Sequence, residues 1–419
     1  MKKSYLFLVV IFASLVFTSF AFSAGFSIYE GGARSNALGG AMTGRADDLS
    51  ALYFNPAGIT QLPGSRVSVG VTMIAPNLNI ITTYGQISTS PEKQCFLLPQ
   101  TYIAHQLNDK VWLGLGVFPR FGLGVEYPSN WPGRFNVYKV QINSLDVNPN
   151  IVYKVTDNLS VSAGTSLMYF DMALYKSVPL SWQTSWAFSN GIDARMTGYS
   201  LGYGYNAGLH YRATEWLSLG VSYRSQVAQN ATGAMKLRTD GGMYKLFMSI
   251  PESVSCLGTI NLPAQYSLGM MAKPARNITV EVGGTFTTWS SYDELRILLE
   301  KPVLGVTELR SPKHWNDSWR YHAGVEWNVT DLMDIRFSYV HDQSAIPDDY
   351  IDYLCPDSDR NIIGVGFGFH KNSWVLDASY NYLMLKDRII STSLSKGVLP
   401  SRIENGYAHI VGINMGYKF

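Results

Sequence analysis

Leu217-Ser218-Leu219-Gly220-Val221-Ser222-Tyr223-Arg224 decides how this chain folds. Leu217, Leu219, Val221 and Tyr223 alternate with Ser218, Gly220, Ser222 and Arg224, the period of a strand with one apolar and one polar face. The pattern recurs. Ile278–Val282 carries Glu281 on its polar face, Ile335–Tyr339 carries Arg336, and Trp374–Tyr380 carries Asp377. Full charges on the inner faces of a packed sandwich would be costly to bury. A barrel whose lumen holds water or a polar plug accommodates them, with its apolar face turned to lipid.

Working outward from this strand, the chain divides into about fourteen strands. They lie near 65–80, 98–108, 110–126, 137–154, 158–173, 199–212, 215–230, 263–273, 277–290, 319–328, 333–342, 361–370, 373–388 and 405–419. Tight turns fall at Asn108-Asp109, Thr156-Asp157-Asn158, Ala213-Thr214, Pro274-Ala275-Arg276, Val329-Thr330-Asp331-Leu332 and Lys371-Asn372. The alternate connections are long, above all 174–198, 231–262 and 291–318. Short turns at one rim and long loops at the other are the asymmetry of an outer-membrane barrel. A propeller would show a fixed repeat and a signature dipeptide; here the hairpin spacing drifts between roughly 40 and 60 residues. The expected fold class is all-β, a transmembrane antiparallel β-barrel.

Composition agrees. Charged residues are 15% of the chain, against roughly 25% in soluble domains. The 26 Tyr, 19 Phe and 38 Gly suit lipid-facing strands with aromatic girdles. A net charge of +2 gives no reason to expect a nucleic-acid partner. Cys95, Cys256 and Cys355 form no CxxC pair and have no His cluster beside them, so no metal or other cofactor is expected. One disulfide with a spare thiol is open, in any of three pairings.

The first residues read as an address. Lys2 and Lys3 precede an apolar run, and Ala21 and Ser23 occupy the small-residue positions of a cleavage site. Residues 1–23 are therefore expected to be a signal peptide, a membrane helix being the competing reading. Residues 24–63 follow, rich in Gly and Ala, poor in charge and without strand alternation. A segment so small-residued builds no core of its own, but it packs closely inside something larger. We expect it to plug the barrel formed by 64–419, with Arg45 and Asp48 pairing inside it. At the far end Val411, Ile413, Met415, Tyr417 and Phe419 alternate with polar and small residues. A last amphipathic strand ending in an aromatic resembles the signal read by the outer-membrane assembly machinery.

Several ordered motifs resemble the FadL/TodX family of outer-membrane transporters for long-chain fatty acids and other hydrophobic compounds. They are Ala24-Gly25-Phe26, Leu38–Gly44, Ala46–Ser50 and Tyr53-Phe54-Asn55-Pro56-Ala57, then Phe118–Leu123 with Trp131–Phe135. Asn148-Pro149-Asn150, Tyr153–Ser160, Trp315–Tyr321, Ser358-Asp359-Arg360 and Asn405–Phe419 extend the resemblance over the chain. It implies a fourteen-stranded barrel closed by an N-terminal hatch, monomeric in the outer membrane, with no enzymatic activity. Substrate would be caught among the outer loops and pass to a pocket inside, and movement of the hatch would then open a path sideways through a gap at a kink in the third strand.

The candidate residues follow. Pro119 sits inside a regular strand where it donates no ladder hydrogen bond, with Gly122 three residues on. A closed barrel has no edge to host such a proline, so Pro119, Arg120, Phe121 and Gly122 are expected to break the wall. Asn55-Pro56-Ala57 would hold the plug against the wall, Asn and Pro turning the chain tightly and Ala allowing close approach. By resemblance, Phe26 inserts into the inner pocket. Trp182, Trp186 and Phe188, and Met235, Met243, Leu246, Phe247 and Met248, make two long loops apolar enough for a capture surface. A carboxylate head would want a cation, from Arg120, Arg224, Arg336 or Lys273. A polar porin is the nearest alternative; an outer-membrane hydrolase would need clustered nucleophile and base, and the seven histidines are scattered.

Overall fold

The computed structural model describes residues 25–179, 191–239, 250–390 and 397–419; the expected signal peptide and Ala24 lie outside them. Fourteen strands make one closed antiparallel barrel. They are β1 (Ser65–Thr82), β2 (Phe96–Gln106), β3 (Val111–Phe118 and Gly122–Glu126), β4 (Lys139–Lys154), β5 (Leu159–Val178), β6 (Ile192–Arg212) and β7 (Leu217–Arg224 and Val227–Thr239). Then come β8 (Ser253–Leu262 and Gln265–Ala275), β9 (Ile278–Thr287 and Glu294–Val303), β10 (Val306–Pro312 and Ser318–Thr330) and β11 (Met333–Asp342). The last are β12 (Arg360–Lys371), β13 (Trp374–Leu385 and Arg388–Ile390) and β14 (Ser401–Lys418). β1 closes the sheet against β14, from Arg66 opposite Lys418 to Thr82 opposite Ser401.

The barrel is polar inside and apolar outside, as the alternation requires. On β7, Leu219 and Val221 are 39% and 56% exposed, while Ser222 and Arg224 on the other face are each 4% exposed. Glu281, Arg336 and Asp377 likewise point inward. The six tight turns lie at the rim where β1 begins and β14 ends, the Phe419 N–H donating to Ser65 O there at 3.0 Å.

The long connections are shorter than the sequence suggests. β5 and β6 stay paired up to Val178 opposite Ile192, and the outer halves of β7 and β8 pair from Val227/Leu262 to Lys236/Ser253. Most of 291–318 is a hairpin, Glu294 opposite Pro312 and Val303 opposite Val306. The reason is a reversal of polarity. Met235, Leu237, Val254, Ile260 and Ile297 point inward here, into an apolar core, so these stretches lack the polar inner face by which the other strands were recognised.

Residues 25–63 fill the lumen with α1 (Ala33–Ala37), α2 (Ala51–Phe54) and a 3-10 turn at Pro56–Gln61. Gly and Ala let the plug touch the wall closely. A Cβ on Gly220 of β7 would lie 1.8 Å from the Thr43 carbonyl oxygen, and one on Gly44 would lie 2.6 Å from that of Gly269. Glu281 of β9 accepts the N–H groups of Thr43, Gly44 and Arg45 at 2.9, 3.0 and 2.7 Å. Asn414 of β14 accepts the Ala33 N–H at 2.6 Å, satisfying a donor at the start of α1. The expected Arg45–Asp48 pair does not form. Arg45 pairs with Asp47 and Glu326, and Asp48 takes Arg34, because Glu326 on the wall draws both arginines toward β10. Burial pushes the Asp47 carboxyl up, but Arg34 and Arg45 beside it outweigh that and hold it down to about 2. The three cysteines are free, Cys355 buried and Cys95 exposed, so no disulfide forms.

Candidate transport path

Along β5 the lumen-facing side chains run Ser160, Ser162, Gly164 and Ser166, then Met168, Phe170, Met172 and Leu174. On β6 they run from His210 and Asn206 through Ser200 to Met196, Ala194 and Ile192. The lumen is thus polar where the plug sits and apolar toward the long-loop rim. A small apolar pocket lies in the outer part, lined by Phe26, Ile142, Met172, Leu174, Ile260 and Trp315 among others. Lys313 also lines it, but its charge is already met by Asp352 at 2.7 Å. The loop before β12 folds inward over this region and buries Ala345, Ile351, Tyr353 and Cys355.

Phe26 forms the cavity's inner end. Its ring meets those of Trp289, Tyr292 and Trp315 edge-on, with centroids 4.8, 5.5 and 5.7 Å away, and that of Phe121 at 6.1 Å. Edge-to-face pairs of this kind add roughly 0.5–1.5 kcal/mol each beyond area burial. The resemblance placed Phe26 inside; its partners Trp289 and Tyr292 escaped sequence reasoning. They lie where Trp289-Ser290-Ser291 interrupts β9 as a 3-10 turn, at the end of what the sequence reads as a continuous strand at 277–290.

β3 is interrupted at Pro119–Phe121, and its pairing with β2 ends beside them. β2 and β3 pair from Gln106/Trp112 up to Thr101/Val117 and no further. Beyond that rung Phe96–Gln100 pair with β1, and Gly122–Glu126 with β4, not with each other. Extending the register by two residues would set Pro99 opposite Pro119. Neither has an N–H, so the ladder fails on both strands at one rung.

The tip of the plug covers the break from inside. Ser27 bridges Phe121, the Ile28 N–H donates to Arg120 O at 2.8 Å, and the Gly122 N–H donates to Phe26 O at 2.8 Å. From β4, Ser144 Oγ accepts the N–H groups of Arg120 and Phe121 at 3.2 and 2.9 Å and donates to Phe121 O at 2.8 Å. Ser144→Ala would leave two buried donors unpaired, each costing about 1–3 kcal/mol. Amide exchange at Arg120 and Phe121 is expected to accelerate well beyond that in lower β3; equal protection would assign the kink to Pro119 alone.

Asn55 is hydrogen-bonded to the wall, and Ala57 lies beside Gly208 of β6. Asn55 Oδ1 accepts the Ala57 N–H at 3.3 Å, and Nδ2 donates to Thr43 O and to Leu209 O of β6 at 2.9 and 3.0 Å. Of the four candidate cations, Lys273 is exposed at the turn rim. Arg336 is saturated by Glu326, Asp334 and Asp377. Arg224 donates to the Leu52 and Tyr53 carbonyls and to Asn148. Trp182, Trp186, Phe188, Met243, Leu246, Phe247 and Met248 lie outside the described residues, and Met235 is buried inside the outer lumen. Among the described residues no group of His, Cys, Asp and Glu is arranged to hold a metal.

A barrel with a lipid-facing belt, an internal plug and an apolar chamber is a membrane transport architecture, and sequence comparison gives it a family. Residues 14–419 match the group described as outer membrane protein transport protein (OMPP1/FadL/TodX). The chain belongs to the FadL/TodX family. It is an outer-membrane protein of a family of transport channels. A 47 kDa outer membrane protein of Pasteurella multocida is 27% identical over 421 residues, covering 95% of each chain. A long-chain fatty acid transport protein of Escherichia coli is 23% identical over 433 residues, again with 95% of each covered. The crystal structure of a Pseudomonas aeruginosa FadL homologue superposes with a TM-score of 0.81 at 19% identity, covering 94% of this FadL/TodX chain and 100% of that one. That likeness fixes the fold of this family member.

Proposed function

We propose that the protein carries long-chain fatty acids or other hydrophobic molecules across the outer membrane and releases them sideways through the break between β2 and β3. The observation that carries this reading is the adjacency of three parts: an apolar chamber, an aromatic stopper at its inner end, and an unpaired stretch of wall behind the stopper. A molecule descending the chamber meets Phe26. Displacing it withdraws the segment Phe26–Ile28 from the break, because the same residues seal both. The path then opens to lipid instead of the periplasm, so the buried plug body need not move. Energetics favour entry: each methylene buried is worth about 0.8 kcal/mol, so half of a long acyl tail supplies several kcal/mol. The capture surface at the long-loop rim and the stopper role of Phe26 belong to this reading, as does the fatty acid named for the E. coli relative.

The test is uptake in a host strain deleted for its own fatty-acid channel. Expression of this chain is expected to restore growth on oleate. Restored toluene-dependent growth without oleate uptake would move the substrate to monoaromatics, and neither would overturn the proposal.

A further inference from the structure

The change from polar to apolar lumen falls at Arg120. On β5 the boundary lies between Ser166, which donates to Asp146 Oδ1 at 2.6 Å, and Met168. Arg120 sits against this Asp146 with 1% of its surface exposed, yet its guanidinium is poorly held. Nη1 lies 3.6 Å from Asp146 Oδ2, beyond hydrogen-bonding distance, and Nε and Nη2 have no partner at all. Among the described arginines it alone keeps two buried nitrogens unpaired. These two are the parallel donors of the guanidinium's side-on edge, which fits a carboxylate in bidentate fashion.

Charge counting points the same way. Arg224 lies close enough to Arg120 for the two cations to repel. Asp146 is the one carboxylate, among the described residues, in an ion pair with either. Two arginines against one carboxylate leave a positive charge buried without a counter-charge, an arrangement costly unless an anion completes it. Arg120 also lies beside the proposed exit. Its guanidinium lies 5.2 Å from the centroid of the Phe121 ring, on which Phe26 packs, and its backbone forms the break.

We propose that Arg120 is a carboxylate-binding station on the lumen side of the break. It holds the head group of an acidic amphiphile while the tail passes from the apolar chamber toward lipid. The proposal rests on the transport reading above and adds to it a preference for acids over neutral molecules of the same length.

Uptake of radiolabelled oleate and of oleyl alcohol, which share a chain and differ at the head, separates the two ideas. Arg120→Gln is expected to lower oleate uptake about tenfold and to leave oleyl alcohol within about twofold of wild type. Arg120→Lys keeps the charge and loses the fork, so it should fall between. Oleate titrated into the purified full-length barrel gives a readout of opposite sign: Asp146→Asn removes the counter-charge and should tighten binding severalfold. Equal loss of both substrates in Arg120→Gln, unchanged oleate uptake, or weaker oleate binding by Asp146→Asn would each overturn the station. Wild type that carries neither molecule would instead overturn the transport reading on which it rests.

Discussion

Replacing Pro99, Pro119 and Gly122 together by valine is expected to abolish uptake while leaving an assembled barrel. The two prolines would face each other if the β2–β3 ladder continued past Thr101 and Val117. Valine at both returns two N–H donors to that rung, and valine for Gly122 adds strand propensity. A ladder hydrogen bond contributes about 0.5–1.5 kcal/mol net, and the propensity change about 1 kcal/mol. The sum, about 2–4 kcal/mol, favours a zipped wall, and every 1.4 kcal/mol is tenfold in population. A Cβ on Gly122 would also lie 2.8 Å from Ile28 Cδ1, pressing the plug tip away from the strand it now pairs with. Oleate uptake should fall at least tenfold while heat-modifiable gel mobility shows a folded barrel. A folded triple variant with unchanged uptake would mean that substrate leaves by another route.

Most of the barrel could be read from residues, because lipid and a polar lumen impose opposite demands on alternate positions. Leu219 beside Ser218 and Phe337 beside Arg336 declare their faces without any knowledge of neighbours. The outer thirds of the strands were harder to see. From Met168 on β5 the inner face turns apolar while Asp171 faces outward, and past residue 173 the weakened pattern reads as a loop where the strand runs on to Val178. Pro119 announced the break from one side, but its depth depends on Pro99, whose position opposite emerges only once the register is known. The cage around Phe26 was hidden for a different reason. Trp289 and Trp315 are distant in sequence and come together because interruptions in β9 and β10 turn both rings inward. Arg120 was one of four equal cations on the page of sequence; only the partners of the other three distinguish it.

The plug body and its tip are fastened to the wall in different ways. Phe26–Ile28 are tied to the break by a pair of backbone hydrogen bonds. The body is fastened by charges. Glu326 of β10 takes Arg34 at 2.9 Å, Arg45, and Arg336 at 2.6 Å, and Glu281 takes three backbone N–H groups. In the transport reading proposed above, ligand contact at Phe26 acts on the weakly held end while the strongly held body stays in the lumen.

Cutting the body loose should turn this transporter into an open pore, and the double variant Glu281→Ala, Glu326→Ala is expected to do so. Removing Glu281 leaves three buried donors without an acceptor, at about 1–3 kcal/mol each. Removing Glu326 strips a shared carboxylate from three guanidinium groups, and breaking one such buried pair costs about 3–5 kcal/mol. Together these losses rival the roughly 5–15 kcal/mol that stabilises a whole domain, against which stands the packing of Leu38, Met42, Leu52 and Ile59 on Trp112 and Val152 of the wall. The barrel ladder itself is untouched. In a planar bilayer the wild type should show no large steady current, and the double variant should show a sustained one. Glu281→Gln, which keeps one acceptor oxygen, should stay closed or nearly so. A large steady wild-type current would make the protein a polar porin, and a silent double variant would show that the asparagines and glycines of the plug hold it without the carboxylates.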